Sequence, residues 1–169
     1  MARLGRSQPF PPRRRGGGQG SEVIALTGTV TSANEVDIVA GGKTIILTVT
    51  AGVGWVAAGA TFDGQRQNII DGLTSAQSEL LGWNNVVKAL QGVAGVVRTS
   101  DLIVTITLDA QATYSITANE TITVTVPATA LVGNVAVVAS PTFTITEGAG
   151  VVGWGPLLGL QRNYLVVAA

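Results

Sequence analysis

The chain has 169 residues, 46% of them hydrophobic, which is enough for one sizeable core and too little for two comfortable domains. Residues 1–20 carry five arginines and no acid, a charge of +5, while the remainder, with five bases and ten acids, carries −5. Cysteine and histidine are both absent, which excludes disulfides and thiolate metal sites and removes the usual general base near neutral pH. We therefore expect one domain with tails, no enzymatic activity and no cofactor.

The first segment, residues 1–20, is dominated by proline, arginine and glycine and cannot pack a core of its own. We interpret it as an extended arm that binds a partner. The expected contact residues of this arm are two apolar anchors and three adjacent arginines: Leu4, Phe10, Arg13, Arg14 and Arg15. The segment has no continuous apolar run, so we predict no signal peptide and expect synthesis in the cytoplasm.

The partner of the arm has two interpretations. Tracts of arginine and glycine such as residues 13–18 bind nucleic acid, so phosphate contact is one alternative. A protein surface is favoured by about two to one, because a body of charge −5 is repelled by a polyanion. Aromatic residues are also scarce, at 5%, which leaves few surfaces on which bases can stack.

After the arm, aliphatic residues alternate with threonines, the pattern of strands with one buried face. It predicts a first strand between Ile24 and Thr31, followed by a turn at residues 32–34. Two further runs, residues 36–39 and 43–50, predict a β-hairpin across the connector at residues 40–42. The inward-facing residues expected in the first strand and the second run are Ile24, Leu26, Val30, Ile45, Leu47 and Val49.

The pattern changes between residues 61 and 87. There Phe62, Ile69 and Leu73 lie near helical spacing, and residues 65–68 supply a polar face. We therefore predict a short helical insertion in an otherwise all-β chain. The glycines within this segment weaken the prediction, because glycine costs about 1 kcal/mol in a helix interior.

Residues 102–108 and 121–127 have the clearest strand patterns, with aliphatic residues on one parity and threonines on the other. Further strands are predicted at residues 93–98 and 142–146. The total of about seven short strands is typical of an immunoglobulin-like antiparallel β-sandwich, in which Tyr114 is interpreted as an analogue of the tyrosine corner. The expected inward residues are Leu102, Val104, Ile106, Leu108, Ile122, Val124, Val126, Phe143 and Ile145.

The last segment, residues 148–169, is glycine-rich at first and aliphatic afterwards. Arg162, Asn163 and the early glycines make it a poor transmembrane helix, so we predict no membrane contact. We interpret it as a linker followed by an added strand or a partner-contact tail. The expected contact residues of the tail are Trp154, Leu157, Leu158 and Tyr164.

Two local motifs match functional signatures but not their context. Residues 148–153 match the dinucleotide pattern G-x-G-x-x-G, yet Pro156 follows closely and no strand-helix-strand unit can form in the sixteen residues that remain (169 − 153). We interpret them as linker. Residues 119–121 match a glycosylation acceptor, but the chain shows no secretion signal, so chance is the better explanation.

The acids and serines also suggest no site. Asp63, Asp71 and Glu79 lack the spacing of a calcium loop and are interpreted as a solvated face. Candidate serine nucleophiles have no histidine to activate them, so no catalytic triad can be built. The serines considered are Ser75, Ser78 and Ser100. The three tryptophans are interpreted as core or interface anchors: Trp55, Trp83 and Trp154.

A set of short segments has a recognisable pattern: Thr61–Ile70, Gly72–Gln77, Gly82–Asn84, Val97–Asp101 and Glu120–Leu131. Together they resemble an immunoglobulin-like module of structural proteins in tailed bacteriophages. The resemblance covers roughly residues 22–147 and carries no catalytic motif. It implies a module that decorates capsids, tubes or fibres, while the arm and the tail lie outside it.

The leading hypothesis is therefore a non-enzymatic virion structural protein, with residues 21–147 as the sandwich and the two arms as attachments. The resemblance implies capsid, portal, collar or tail proteins as partners, a homo-oligomer in the particle, and a virion location after synthesis in the host cytoplasm. The alternative is a bacterial surface or adhesion module that recognises glycan or protein. A secretion signal and calcium sites would favour that alternative, and the sequence shows neither.

Overall fold

The computed structural model describes residues 20–76 and 92–148 of the chain. Predictions that fall on residues 1–19, 77–91 and 149–169 lie outside this part. The described ranges contain seven strands: β1 (Ile24–Thr27), β2 (Thr44–Val49), β3 (Leu73–Ser75), β4 (Val96–Arg98), β5 (Ile103–Thr107), β6 (Glu120–Val124) and β7 (Thr142–Ile145). They also contain three short α-helices, α1 (Glu35–Ala40), α2 (Ala60–Asp63) and α3 (Arg66–Asp71).

The strands form two antiparallel sheets. One has four strands in the order β1-β2-β5-β4, and the other has three in the order β3-β6-β7. Buried residues of both sheets belong to one hydrophobic cluster, so the sheets share a core. This arrangement is consistent with a β-sandwich, and the prediction of a mostly β chain with little helix is confirmed.

The alternation of side chains places most of the predicted inward residues in the core, with Leu26 only partly buried. In the first sheet Leu47 lies opposite Val104 on the paired strands β2 and β5, and both are fully buried. In the second sheet Ile122 lies opposite Phe143. One predicted inward residue was wrong, because Leu102 precedes β5 and is 44% exposed. The strand begins only at Ile103, so the parity of β5 does not extend to Leu102.

The first strand is shorter than predicted. β1 ends at Thr27, and residues 29–32 form a 3-10 turn. The strand ends at Gly28, whose φ of 110° is a conformation that favours glycine, and a Cβ at this position would clash with the Thr44 carbonyl oxygen. Val30 is nevertheless fully buried, so the expectation of an inward Val30 held although the strand did not reach it.

The predicted strand at residues 36–39 is wrong, because this segment is helix α1. The Asn34 side chain accepts a hydrogen bond from the Asp37 backbone N–H, and the Asp37 carboxylate accepts one from the Asn34 N–H, both at 3.0 Å. This reciprocal capping box satisfies two backbone donors at the start of the helix. Local capping therefore outweighed the strand preference of the valine and isoleucine residues.

The predicted helical insertion is confirmed in outline. It consists of two helices, α2 and α3, joined at residues 64–65 rather than one continuous helix. Phe62 and Ile69 are buried as expected, but Leu73 is the first residue of β3. A Cβ on Gly72 would clash with the Thr125 carbonyl oxygen, so the chain passes very close to its neighbour where α3 becomes β3.

The two ends of the described chain lie at opposite ends of the core. Glu22 forms a parallel bridge with Val137, and Asn34 forms one with Thr146, so the two segments run side by side in the same direction. Nine residues separate Val137 from Thr146 (146 − 137), a span of up to about 30 Å in extended chain. We call the end at Glu22, where residues 1–19 join, the arm end, and the end at Thr146 the tail end.

Candidate functional site

The predicted partner contacts of both arms lie outside the described residues. They are Leu4, Phe10, Arg13, Arg14 and Arg15 in the arm, and Trp154, Leu157, Leu158 and Tyr164 in the tail. The structure places only the points where these segments join the body. Gly20 is exposed at the arm end, and Gly148 follows β7 at the tail end.

Other predicted residues within the described part have local partners. Trp55 is a buried core residue, and its indole N–H donates to the Leu102 carbonyl at 3.0 Å, as expected for a core anchor. Asp63 forms a salt bridge with Arg66 at 2.7 Å, and Asp71 accepts a hydrogen bond from Gln67. In residues 20–76 and 92–148 no group of three or more acids could hold a metal ion.

Three buried glutamates were missed by the sequence interpretation: Glu22, Glu35 and Glu120. Glu120 is fully buried, at 0% exposure. The burial of Glu120 could have been predicted from the sequence. Glu120 lies on the same parity of β6 as Ile122 and Val124, which were predicted to point inward. The alternation rule should have placed a carboxylate in the core and prompted a search for its donors.

Two hydroxyl groups donate to the buried Glu120 carboxylate. The Tyr114 hydroxyl donates to Oε2 and the Ser75 hydroxyl to Oε1, each at 2.7 Å. Ser75 lies on β3 and Tyr114 on the β5–β6 connection, so the carboxylate ties an adjacent strand and a loop to β6. A carboxylate with a donor on each oxygen meets the condition under which a buried acid is tolerated.

The electrostatics of this cluster oppose acid-base chemistry by Tyr114. Burial raises the pKa of Tyr114 well above its ordinary value of 10.0, and the hydrogen bond to Glu120 raises it further. The phenol therefore remains protonated and acts as a hydrogen-bond donor. Ser75 has no histidine to activate it, because the sequence contains none. The Ser75–Glu120–Tyr114 cluster links β3, the β5–β6 connection and β6 through hydrogen bonds.

Glu35 adds a second buried acid at the tail end. It begins α1, its Oε1 accepts from the Ile116 backbone N–H at 3.3 Å, and its own N–H donates to the Thr146 carbonyl at 3.0 Å. These bonds join the start of α1 to the β5–β6 connection and to the end of β7. The negative charge of Glu35 also contributes to the raised pKa of Tyr114.

The arm end has a different character, because exposed aliphatic side chains collect there. Of the seven large hydrophobic residues exposed in the described part, five belong to segments that meet at this end. We call them, together with the buried Glu22, the arm-end face. The five residues are Val23, Val53, Leu102, Val132 and Val138.

Hydrogen bonds show that the segments of the arm-end face are neighbours. The Val53 N–H donates to Glu22 Oε1 at 3.1 Å, and the Val138 N–H donates to the Glu22 carbonyl at 2.9 Å. The Val132 N–H donates to the Gly54 carbonyl at 3.1 Å. A Cβ on Gly54 would lie 3.6 Å from Cδ2 of Leu102. The segments that carry these residues are therefore adjacent at the arm end.

Comparison with known proteins gives no relative for this chain. No family model, no curated protein and no solved structure matches it. Among the helices of the described ranges, none has the length and apolar character needed to cross a membrane.

Proposed function

We propose that the body is an immunoglobulin-like sandwich. With the strands lettered A to G in chain order, the first sheet reads A-B-E-D and the second reads C-F-G. This is the strand order of the seven-stranded constant-type immunoglobulin domain. The helices α2 and α3 then lie in the B–C connection, and α1 lies in the A–B connection.

We further propose that the protein is a non-enzymatic structural component of a tailed-phage virion, fastened to capsid, collar or tail proteins by its arms. The observation that supports this proposal is the position of Gly20 and Gly148, the residues to which the two arms are joined, at opposite ends of the core. A module with this geometry can contact one partner at the arm end and another at the tail end. The virion context comes from the resemblance of residues 22–147 to immunoglobulin-like modules of phage structural proteins. The proposed mode of attachment comes from the positive charge of residues 1–20.

The proposed attachment combines charge and apolar contact. Five arginines without an acid suit an acidic groove on a partner, with Leu4 and Phe10 as anchors. Exposed ion pairs contribute below about 1 kcal/mol each, so the apolar anchors and the restricted prolines supply much of the binding free energy. Added salt should therefore weaken attachment only in part.

The test uses co-sedimentation with particles of the encoding phage that were assembled without this protein. The full chain should join the particles, and a variant lacking residues 1–20 should remain folded and soluble but fail to join. Changing Arg13, Arg14 and Arg15 to Ala should reduce joining without abolishing it. Undiminished joining by the deletion variant would move the attachment site to the body or to the tail at residues 154–169.

A separate outcome would favour the adhesion alternative. If the full chain fails to join such particles and instead binds isolated host envelope or glycan, the virion assignment is wrong. The matched control is the same chain after thermal unfolding, which retains the charge but loses the sandwich.

A further inference from the structure

The first and the last described segments run in the same direction and are joined by two parallel bridges, one at each end of the core. At the arm end the Glu22 N–H donates to the Ala136 carbonyl at 2.8 Å, and the Val138 N–H donates to the Glu22 carbonyl at 2.9 Å. The Glu22 side chain is buried and accepts from the Val53 N–H at 3.1 Å. Glu22 therefore holds the last segment by its backbone and a loop by its side chain.

The tail end has the same arrangement. The Thr146 N–H donates to the Ala33 carbonyl at 3.3 Å, and the Glu35 N–H donates to the Thr146 carbonyl at 3.0 Å. Glu35 is also buried, and its carboxylate accepts from the Ile116 N–H at 3.3 Å. Each bridge thus contains a buried glutamate whose carboxylate bonds the backbone of a third segment. Between the two bridges Val30 is fully buried, so the first segment is also held in the core along its length.

The points at which the chain enters and leaves the core decide how a pull acts on these bridges. Tension transmitted along the chain enters the described core at Gly20 and leaves it at Gly148, which lie at opposite ends. Such tension draws the first segment toward the arm end and the last segment toward the tail end, parallel to their lengths. The bridge hydrogen bonds run from one segment to the other, across the direction of sliding. They therefore share the load and must break together, whereas a pull at right angles would break one bridge before the other.

We propose that the body is a tension-bearing module, in which the two parallel bridges resist a pull along the chain because they are loaded in shear. The quantity that this geometry raises is the unfolding force, since forced unfolding is governed by the unfolding rate constant and not by the equilibrium stability. The proposal goes beyond the attachment role, because it concerns what the core does once both of its ends are held. It does not depend on which partners hold them.

Single-molecule force spectroscopy of the full chain tests the direction of loading. The native sequence has no cysteine, so the two pulling handles can be placed by substitution. Handles at Ser21→Cys and Glu147→Cys pull the two segments along their lengths. Handles at Ser21→Cys and Ala139→Cys are the matched control, because all three positions are exposed and residues 21 and 139 both flank the arm-end bridge. This second pair peels the segments apart from one end.

We expect an unfolding force at least about twofold higher along the segments than in the peeling geometry, because four bridge hydrogen bonds share the load in the first case and two in the second. Val138→Pro removes the N–H that bonds Glu22 and should lower the force along the segments by roughly a quarter. Ala139→Pro is its control and should leave that force unchanged. Ala139 is an exposed neighbour whose N–H has no hydrogen-bond partner among the described residues.

Equal forces in the two geometries would overturn the proposal, and so would a force along the segments that Val138→Pro leaves unchanged. If Val138→Pro fails to fold, the comparison of the two handle pairs on the otherwise native chain decides by itself. The experiment uses no particle, so its outcome is separate from that of the virion assignment.

Discussion

The Tyr114 hydroxyl and the Glu120 carboxylate lie 2.7 Å apart in the core, six residues apart along the chain. Tyr114→Phe would keep the ring in place and leave one oxygen of a fully buried carboxylate without this donor. We expect a loss of about 1–3 kcal/mol in the free energy of unfolding, measured by chemical denaturation. Ser115→Ala, at an exposed neighbouring position, is the control and should change stability little. A loss no greater than that of the control would show that the hydroxyl is dispensable.

The same pair predicts sensitivity to alkali. The pKa of Tyr114 is raised in the folded chain, chiefly by burial, so the folded state holds the phenol proton more tightly than the unfolded state. Its contribution to stability is complete below about pH 10 and falls as the pH rises further, by up to about 1.4 kcal/mol per pH unit. In denaturant titrations above pH 10, Tyr114→Phe should lose stability less steeply than the native chain. Equal slopes would mean that other groups govern alkaline unfolding.

Val124 and Thr123 test the parity of β6. Val124 is buried opposite Leu73, whereas Thr123 is partly exposed opposite Thr74 and Thr142. Val124→Asp should destabilise the fold by more than about 4 kcal/mol, because it puts an unpaired carboxylate in the core. Thr123→Asp should cost about 1 kcal/mol or less. Thermal unfolding of both variants makes the comparison, and equal damage would contradict a strand with one buried face.

The capping box of α1 predicts a response to acid. Hydrogen bonds from Lys43, at 2.8 Å, and from the Asn34 N–H hold the pKa of Asp37 below its ordinary value of 3.8. The stabilisation is therefore complete above about pH 4 and is lost as the pH falls through the lowered pKa. Asp37→Asn should cost about 0.5–1 kcal/mol at pH 7 and little at pH 2. A cost that does not change with pH would assign the effect to packing.

The body should fold without the arm. Residues 21–147 contain every strand of the described part, and Gly20 is exposed, so removing residues 1–20 should lower the free energy of unfolding by about 1 kcal/mol or less. Calorimetry of the shortened chain provides the measurement. A collapsed thermal transition would place the arm within the core.

Much of the sheet arrangement could be predicted because side-chain alternation is a local property. Ile45, Leu47, Val104 and Ile122 are buried as their parity required, and the same rule would have found Glu120. The rule was less reliable where backbone geometry intervened. At Gly28 the chain leaves the strand conformation, and at Asn34 a capping box starts a helix in a segment whose composition favours a strand.

By itself, the sequence determined which face of most strands is apolar, where the positive charge is concentrated, and that the chain contains no histidine or cysteine. Only the tertiary structure decided that Ser75 and Tyr114 meet Glu120, since these contacts join residues up to 45 positions apart. It also decided that the two ends of the described chain, at Gly20 and Gly148, lie at opposite ends of the core, because that depends on how distant segments pair and not on any single strand. Local periodicity fixes the orientation of each side chain, whereas the pairing of distant strands fixes which of those side chains become neighbours.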